Sequence, residues 1–498
     1  MNNLKRLIYK SSGKSPGFSL IELLVVVAII GILATASVVA YNGYISSSKK
    51  TTMRSLMQAV ALAETEWYTE TGSYFTNTEN DTCTPNDTTV EAINENLFDD
   101  EDVIPDDLSW SMCVASAADG GSFQIFAEQD NYSVGDLFIQ KDLAKTLRRI
   151  SIGGADEFYN GVTSDMILKC MKRTGGIITK ADLASYKPIE REPIIFNYRD
   201  YTFYSMPPAS SGGICLAEIL NQLETISFDS VGFHSTDHIQ PFVEAERRAY
   251  ADRAEFLGDT DFTDVPISTL ISKSYAQLRF SDYDQNDIIP SSDMGPGEIE
   301  GYNESDETTH YSVVDKWGNA VSVTITLNGK YGNGIVVDGA GFLLNNEMDD
   351  FSIKPGHPNM YGLVGKEANA IAPYKRMLSS MTPTIVEDPE NNLFLVLGSP
   401  GGSTIITTVA QIAVNVIDFG MNIQDAVNAP RFHHQWLPDL IFFESDRFSE
   451  ETLSNLSSKG YELSERKSIG EANCIQIGSS GIKFSAADSR RAACALAY

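Results

Sequence analysis

Thr308 begins one of two short runs that are rich in β-branched and aromatic residues and lie close together in the chain. Residues 308–314 read TTHYSVV and residues 320–326 read AVSVTIT, with DKWGN between them. Two such runs around a short connection that contains glycine predict a β-hairpin. If the hairpin is symmetric about Trp317, Thr308 lies directly opposite Thr326, close enough for the two side chains to interact.

A threonine hydroxyl becomes an effective nucleophile when a base lies beside it, and an N-terminal threonine carries such a base as its own α-amine. An α-amine with a pKa of about 7.7–8.0 suits that role at neutral pH. Residues 282–307, just before Thr308, are acidic and contain few large apolar residues, so they predict an exposed loop open to cleavage. The pattern fits an N-terminal nucleophile, and it also fits an ordinary cross-strand pair between Thr308 and Thr326.

Two further motifs could contribute polar groups to chemistry. Gly401 and Gly402 lie in GSPGGS at 398–403, where the absence of a side chain lets the backbone come close to another group. The same glycines fit a plain turn, and no GK[ST] follows that would indicate a phosphate-binding loop. The adjacent His433 and His434 would point apart in a strand or a helix, so they predict structural histidines. We expect neither a metal nor another cofactor.

Several local patterns indicate the elements that must position these residues. Residues 142–150 have helical periodicity, and residues 243–257 predict a charged amphipathic helix. Thr179 and Asp182 have the spacing of a capping box at the start of a short helix. Residues 207–213, PPASSGG, predict a loop or the beginning of a helix. Together with the strand-like runs, these helices indicate that the chain from about residue 135 onward is a globular enzyme.

The composition excludes some classes of protein. The formal net charge is −30, so the chain lacks the basic surface that a general nucleic-acid binder needs, and we expect no nucleic-acid partner. Because 42% of the residues are hydrophobic, the chain can form cores, which excludes wholesale disorder. Six cysteines in 498 residues, with no CxxC pair, argue against a disulfide-rich scaffold and against a zinc ribbon.

Residues 20–40 form a long apolar run with a single charge, Glu22. A helix of this length is about 31 Å long, enough to cross the core of a bilayer. Basic residues precede the run, so the positive-inside rule places the N-terminus in the cytoplasm. The sequence therefore predicts a single-pass inner-membrane anchor, with the bulk of the chain periplasmic or extracellular. A cleaved secretory signal is the alternative, although the run is long for one.

The residues around this run resemble the N-terminal signature of type IV pilins and pseudopilins. Residues 17–25 read GFSLIELLV. The resemblance implies that a peptidase cuts after Gly17 and that the new N-terminal residue, Phe18, is N-methylated. It also implies that Glu22 neutralises the N-terminus of a neighbouring pilin subunit during assembly.

This resemblance divides the first part of the chain into a leader and a pilin-like segment. The leader covers residues 1–17, and the pilin-like segment, a membrane helix followed by a small globular head, covers residues 18–130. Cys83 and Cys113 lie in the predicted head, and in an oxidising compartment we expect them to form a disulfide.

The rest of the chain resembles the γ-glutamyltranspeptidase (glutathione hydrolase) family. The matching motifs are TTHYSVVD at 308–315, LLNNEMDDF at 343–351, SSMTPT at 379–384, GSPGGS at 398–403 and NAPRFHHQW at 428–436. The resemblance implies an α+β fold, that of an N-terminal-nucleophile hydrolase with an αββα sandwich, incomplete in this chain. It implies self-cleavage between Glu307 and Thr308, which gives a partial large subunit, 135–307, and a small catalytic subunit, 308–498.

The resemblance also implies an activity and a set of site residues. A γ-glutamyl group passes from glutathione or another γ-glutamyl compound to water or to the amine of an amino acid or peptide. Thr308 is then the nucleophile and, through its amine, the base, while Thr326 hydrogen bonds to its hydroxyl. The other implied positions are Asn328, Glu347 and Asp350 for the α-amino group, Ser379 and Ser380 for the α-carboxylate, Gly401 and Gly402 for the oxyanion, and Tyr361 for the lid.

One part of the family pattern has no counterpart in the sequence. The family's large subunit begins with a long segment that carries the arginine for the substrate's α-carboxylate, and residues 41–134 contain none of its motifs. We therefore expect an open side with exposed apolar surface. Three interpretations follow. The chain is a membrane-anchored γ-glutamyl enzyme, with a second chain able to supply the missing part; it is a pilin-like subunit carrying an inactive enzyme-derived domain; or it joins pieces of two unrelated genes.

Overall fold

The structure of the chain, a computed structural model, describes residues 60, 87–97, 110–116, 123–129, 139–295, 309–329, 331–490 and 494–496. Outside these ranges lie Gly17, Phe18, Glu22, the predicted span 20–40, Cys83, Glu307 and Thr308. The backbone of Cys113 is described but its side chain is not, so its pairing with Cys83 stays a prediction. No helix in the described ranges has the length and apolar character that crossing a bilayer requires.

The described elements are helices and short strands that follow one another mostly in groups of one kind. The strands are β1 (Trp110–Ser116), β2 (Phe123–Gln129), β3 (Ile194–Tyr198), β4 (Tyr201–Ser205), β5 (Thr309–Val314), β6 (Ala320–Ile325), β7 (Thr384–Glu387), β8 (Leu393–Leu397), β9 (Phe432–His433), β10 (Ile441–Glu444), β11 (Leu463–Arg466), β12 (Asn473–Ile477) and β13 (Lys483–Ala487). The helices are α1 (Asp87–Leu97), α2 (Lys141–Asn160), α3 (Val162–Thr174), α4 (Lys180–Ser185), α5 (Gly212–Leu223), α6 (Thr236–Phe256), α7 (Ile267–Leu270), α8 (Lys273–Arg279), α9 (Ser291–Met294), α10 (Thr404–Ile417), α11 (Ile423–Asn428) and α12 (Glu450–Ser458). Two 3₁₀ turns lie at Glu347–Asp350 and Glu367–Asn369.

A six-stranded antiparallel sheet, in the order β13-β12-β8-β7-β4-β3, lies at the centre of the fold. Alternate residues of β3 are buried, as expected for a strand with one face on a core. Helices α5 and α10 pack against each other in that core and are buried almost throughout, because α5 also contacts β3, β4 and α6 while α10 also contacts α11 and β9. The chain therefore has a mixed α and β architecture, as predicted.

The hairpin of β5 and β6 packs on the central sheet over β7, β8 and β12. Hydrogen bonds fix it there: Ser312 Oγ donates to the Asn473 carbonyl at 2.8 Å, and Ser322 Oγ donates to the Leu397 carbonyl at 2.8 Å. The side chains that point away from the sheet are apolar and exposed, at 42% for Val313, 50% for Val321 and 60% for Ile325. Within the described residues, this confirms the expected open side.

Two smaller sheets complete the described strands. β1 and β2 pair antiparallel, with Trp110 opposite Gln129. β9, β10 and β11 form a sheet in which β10 pairs parallel to β11 and antiparallel to β9.

The local signals for the first helices are confirmed. Residues 142–150 lie in α2. Thr179 caps α4: its Oγ1 accepts from the Asp182 N–H at 3.3 Å, and the Asp182 carboxylate accepts from the Thr179 N–H at 2.7 Å. Residues 207–213 contain the start of α5, at Gly212.

The prediction of an amphipathic helix over 243–257 is right about the helix and wrong about its exposed face. α6 covers most of this range, and its charged side chains are buried with the apolar ones. Ion pairs within the helix make this possible, because Glu244 accepts from Arg247 at 2.7 Å and from Arg248 at 2.6 Å.

The prediction that residues 282–307 form an exposed loop is wrong for part of that range. Residues 291–294 form α9, in which Ser291 and Met294 are buried. Arg247 explains this burial, because its Nη2 donates to Ser291 Oγ at 3.1 Å and to the Ile289 carbonyl at 2.6 Å. Residues 296–308, which include the predicted cleavage point, lie outside the described residues.

Candidate functional site

The hairpin has the predicted register. Thr309 pairs with Ile325 and His310 with Thr324, as symmetry about Trp317 requires. Local chemistry sets this register, because the Asp315 carboxylate accepts from the N–H groups of residues 317 and 319 and Gly318 takes a positive φ of 93° in the turn. The backbone that leads to position 308 is therefore fixed by the turn.

The sequence patterns do not single out His310, although it lies beside the predicted nucleophile. Its ring is buried between Thr324 Oγ1, 2.9 Å from Nδ1, and Ser312 Oγ, 3.1 Å from Nε2. Burial lowers its pKa to about 3, so the ring is neutral at physiological pH. Gly398 leaves the space, because a Cβ at Gly398 would stand 2.0 Å from His310 Cε1. The ring thus joins the hairpin to the start of the glycine loop at 398–403.

Thr326, Asn328 and Tyr361 form a continuous set of contacts just beyond β6. Thr326 Oγ1 accepts from the Asn328 N–H at 2.8 Å, and the Tyr361 hydroxyl donates to the Asn328 carbonyl at 2.7 Å. Asn328 is buried and has a φ of 69°, a left-handed conformation that asparagine tolerates better than most residues. The Tyr361 ring, also buried, lies against Gly402, where a Cβ would stand 2.7 Å from Cδ1.

Gly401 and Gly402 lie in the loop between β8 and α10 and both have positive φ, 136° and 53°. Among the described residues, neither N–H group has a hydrogen-bond partner. The following residue, Ser403, anchors the loop through two hydrogen bonds. Its carbonyl accepts from the Tyr250 hydroxyl, and its Oγ donates to Gln435 Oε1 at 2.6 Å. The loop is thus held with two backbone donors unused, which is the arrangement that stabilises an oxyanion.

Glu347 and Asp350 lie in the first 3₁₀ turn and are both partly buried. Burial raises the pKa of Glu347 to about 7. Burial also raises the pKa of Asp350 to about 8, and the neighbouring Glu347 adds to the effect, while Arg253 and the Asn328 amide oppose it. The pair is therefore only partly ionised at neutral pH and would ionise further beside a cation, so it suits an ammonium group.

The two predicted serines have different surroundings. Ser379 Oγ donates to Ser210 Oγ at 2.9 Å and accepts from the Met381 N–H at 3.3 Å, so its hydrogen is already used inside the protein. Ser380 Oγ accepts from Arg253 Nη2 at 3.3 Å, and its own hydrogen has no acceptor among the described residues. Of the two, Ser380 is therefore the better donor to a ligand.

His433 and His434 are buried and have separate partners, as predicted for structural histidines. The His433 ring lies 2.8 Å from Thr407 Oγ1 and 2.9 Å from Gln435 Oε1, whereas His434 Nε2 lies 3.2 Å from Asp439. The described residues contain no group of histidines, cysteines and carboxylates that could hold a metal ion.

Comparison with known families assigns most of the chain. Residues 108–498 match the family described as Gamma-glutamyltranspeptidase, so the chain belongs to that family. The match begins inside the predicted pilin-like segment, 18–130. Residues 13–38 match the prokaryotic N-terminal methylation motif.

Among the relatives is the glutathione hydrolase proenzyme of Escherichia coli K12, which is 52% identical over 356 residues covering 72% of this chain and 61% of the relative. The glutathione hydrolase proenzyme of Pseudomonas aeruginosa is 44% identical over 348 residues covering 69% of this chain and 61% of the relative. The chain thus spans about three fifths of the length of the curated relatives that it matches.

A solved structure shares the fold. The cephalosporin acylase from Bacillus halodurans superposes with a TM-score of 0.62 at 25% identity, covering 72% of this chain and 62% of the acylase. The described part of the chain therefore shares the fold of this acylase.

Proposed function

We propose that this member of the γ-glutamyltranspeptidase family is a self-cleaving γ-glutamyltransferase and glutathione hydrolase. Its donors are glutathione or other γ-glutamyl small molecules, and its acceptors are water or the amines of amino acids and peptides. The observation that carries the proposal is the continuous set of contacts from Thr326 through Asn328 and Tyr361 to Gly402. These contacts link predicted catalytic, substrate-binding, lid and oxyanion positions in one place.

Maturation would break the peptide bond between Glu307 and Thr308 with the addition of water, leaving a carboxylate on Glu307 and a free α-amine on Thr308. The observed register supports this assignment, because Thr309 pairs with Ile325 and the same pairing extended by one residue would bring Thr308 opposite Thr326. The partial large subunit, 135–307, and the small subunit would stay associated, since α5 and α6 share their core with α10.

In the reaction, the α-amine of Thr308 accepts the hydroxyl proton while the hydroxyl oxygen attacks the γ-carbonyl carbon. The Gly401 and Gly402 N–H groups donate to the oxygen that becomes negative, and Thr326 hydrogen bonds to the nucleophile. The amine of the donor leaves with the proton, and Thr308 keeps the γ-glutamyl group as an ester. Water or an acceptor amine then attacks the ester and releases the hydroxyl.

The γ-glutamyl head would be held by carboxylates at its ammonium group and by a hydroxyl donor at its carboxylate. Glu347 and Asp350, together with the Asn328 amide, face the α-ammonium group. Ser380 donates to the α-carboxylate. Ser379 helps to position Ser380, because Ser379 Oγ accepts from the Met381 N–H and so stabilises the turn at 379–381. Tyr361 acts as the lid, because its ring lies over the oxyanion loop.

For the N-terminal part we propose a leader, 1–17, a cut after Gly17 with methylation of Phe18, and a pilin-like segment, 18–130, anchored in the inner membrane by 20–40. The match to the methylation motif supports a pilin-like export signal. The rest of the chain would then lie in the periplasm or outside the cell, as an incomplete αββα sandwich.

The experiment that tests the enzyme is the mass of the full chain after expression and export. We expect a C-terminal fragment that starts at Thr308, release of p-nitroaniline from γ-glutamyl-p-nitroanilide, and loss of both in Thr308→Ala. An intact wild-type chain without activity would refute the proposal. Restoration by a co-expressed large-subunit segment of the Escherichia coli relative would instead show that a second chain completes the enzyme.

A second hypothesis, which the family match and the relatives do not favour, is that the chain is a pilin-like structural subunit that carries an inactive enzyme-derived domain. This hypothesis predicts incorporation into filaments together with pilin subunits, prevented by Glu22→Ala. Absence of the chain from purified filaments would rule it out.

A further inference from the structure

Arg253, on α6, is a buried cation without a described counterion. It is 4% exposed, its Nε donates to Ser211 Oγ at 2.9 Å, and its Nη2 donates to Ser380 Oγ at 3.3 Å. It forms no ion pair with a described carboxylate, and its Nη1 makes no hydrogen bond among the described residues. The other arginines buried in this part of the chain each have a carboxylate within 2.7 Å: Arg247, Arg248 and Arg431.

Burying an unpaired guanidinium is costly, and arginine does not relieve that cost by losing its proton. An anion that binds beside Arg253 would therefore be strongly stabilised. Ser380 adds a second donor, since its oxygen already accepts from Arg253 and its hydrogen has no described acceptor. A guanidinium with free N–H groups beside a hydroxyl donor is a good receptor for a carboxylate.

We propose that Arg253 is a further residue of the subsite for the substrate's α-carboxylate in this chain, acting beside Ser380. The inference rests on the proposed function and gives that site a cation, for which residues 41–134 provide no family motif. Charge complementarity supports it, because Asp350, which lies within electrostatic reach of Arg253, belongs to the pair that suits the α-ammonium group. A cation beside an anion matches the zwitterionic head of a γ-glutamyl compound.

In a purely structural role, Arg253 would only link α6 to the turns at 210–212 and 379–381. The two roles differ in one measurable way. Loss of a structural link would weaken the binding of every ligand equally, whereas loss of a carboxylate subsite would weaken only the binding of ligands that carry the α-carboxylate.

The test compares L-glutamate with 4-aminobutyrate, which lacks only the α-carboxylate, by calorimetric binding to the full chain. We expect wild type to prefer L-glutamate and Arg253→Lys to reduce that preference by about 10- to 100-fold, the value of a hydrogen bond to a charged group. Ser380→Ala should reduce it as well. If Arg253→Lys does not fold, Arg253→Gln, which keeps N–H donors near Ser380 without the charge, decides the question with the same two ligands. Arg248→Lys, on the same helix and ion-paired, is the matched control and should keep the preference.

Turnover gives an independent readout with γ-glutamyl-p-nitroanilide and 4-aminobutyryl-p-nitroanilide. We expect Arg253→Lys to raise KM for the first substrate only. Equal losses on both ligands, or no preference in wild type, would overturn the subsite. If wild type turns over neither substrate, the proposed function fails, and the binding preference for L-glutamate still decides the role of Arg253.

Discussion

The aromatic ring of Tyr361 occupies the space that a side chain at Gly402 would need, with Cδ1 2.7 Å from the ideal Cβ position. The contact is reinforced from both sides, since the Tyr361 hydroxyl donates to the Asn328 carbonyl and the Tyr361 carbonyl accepts from Gln435 Nε2 at 3.0 Å. Gln435 also accepts from Ser403, next to Gly402. The lid residue and the oxyanion loop are therefore positioned by the same contacts.

Gly402→Ala should disrupt the contact between the Tyr361 ring and the oxyanion loop. The methyl group would push against the Tyr361 ring and shift the loop, so we expect kcat for γ-glutamyl-p-nitroanilide to fall about 10²-fold, as when one oxyanion donor is lost. Gly420→Ala is the matched control, because Gly420 also has a positive φ but has open space around its Cβ position. Both variants should lose about 1–2 kcal/mol of stability from backbone strain. An equal effect of the two on kcat would contradict the argument.

Gly398→Ala should impair maturation. A Cβ would stand 2.0 Å from His310 Cε1, so either the loop or β5, which leads to position 308, must move. A displacement of about 1 Å costs about 10²-fold in rate, and we expect self-cleavage to slow by that factor, measured by mass spectrometry over time. Gly232→Ala, which meets only ordinary contacts, should cleave at the wild-type rate. Normal cleavage in Gly398→Ala would show that β5 tolerates the shift.

The hairpin could be predicted from the sequence because its determinants are local. Asp315 and Gly318 define the turn, and alternation of residue types in the two runs defines the strands, so the register follows without knowledge of the rest of the fold. The family motifs similarly identify Asn328, Glu347 and Asp350 as polar groups near one another.

Other features depend on packing between distant segments and could not be predicted. Residues 243–257 have the charge content of an exposed helix, yet Arg247 and Arg248 share Glu244 of the same helix. Asp439 and Asp282, from other segments, pair with the same two arginines and complete the charge balance. The contact of Arg253 with Ser380 joins positions 127 residues apart. Hydrophobic periodicity does not encode such pairings, because it records only which face of an element is apolar.

The raised pKa values of Glu347, about 7, and Asp350, about 8, predict that binding of an ammonium group depends on pH. The ligand requires the ionised carboxylates, so binding should tighten as the pH rises from 6 to 8, by roughly tenfold or more. Calorimetry with L-glutamate and Thr308→Ala measures this without interference from the Thr308 amine. Asp350→Asn should flatten the profile, and an equally steep profile in that variant would contradict the assignment.

The same two carboxyl groups should make the fold without ligand less stable as the pH rises. Because the folded chain raises their pKa values, their contribution to stability is greatest below the unfolded pKa values, about 4, and is lost as the pH rises through 7 and 8. We expect the Tm without ligand to fall between pH 6 and pH 9 more in wild type than in Asp350→Asn. Equal Tm changes would show that other groups dominate.

Asp488 connects the C-terminal residues to the core. Its Oδ2 accepts from Arg431 Nη2 at 2.7 Å and from the Ala472 N–H at 2.9 Å, and its Oδ1 accepts from Arg490 Nη1 at 3.0 Å. Asp488→Asn would leave buried positive charge unbalanced, so we expect a loss of about 3–5 kcal/mol in chemical denaturation. Glu451→Gln, at an exposed position, should change stability by less than about 0.5 kcal/mol. If Asp488→Asn were as stable as Glu451→Gln, Glu444, the other carboxylate on Arg490, would be enough to balance the buried positive charge.

The open side of the hairpin predicts self-association. Val321 and Ile325 point away from the central sheet and expose half or more of their surface, and Val313 exposes 42%. Adjacent exposed apolar side chains of this kind promote contact between chains. The double variant Val321→Thr, Ile325→Thr should reduce light scattering of the full chain while leaving the unfolding free energy within about 0.5 kcal/mol. Val386→Thr, at a fully buried position of β7, is the contrasting variant and should lose about 1–3 kcal/mol by burying a hydroxyl. A destabilised double variant would mean that this face is covered in solution and is therefore part of an interface.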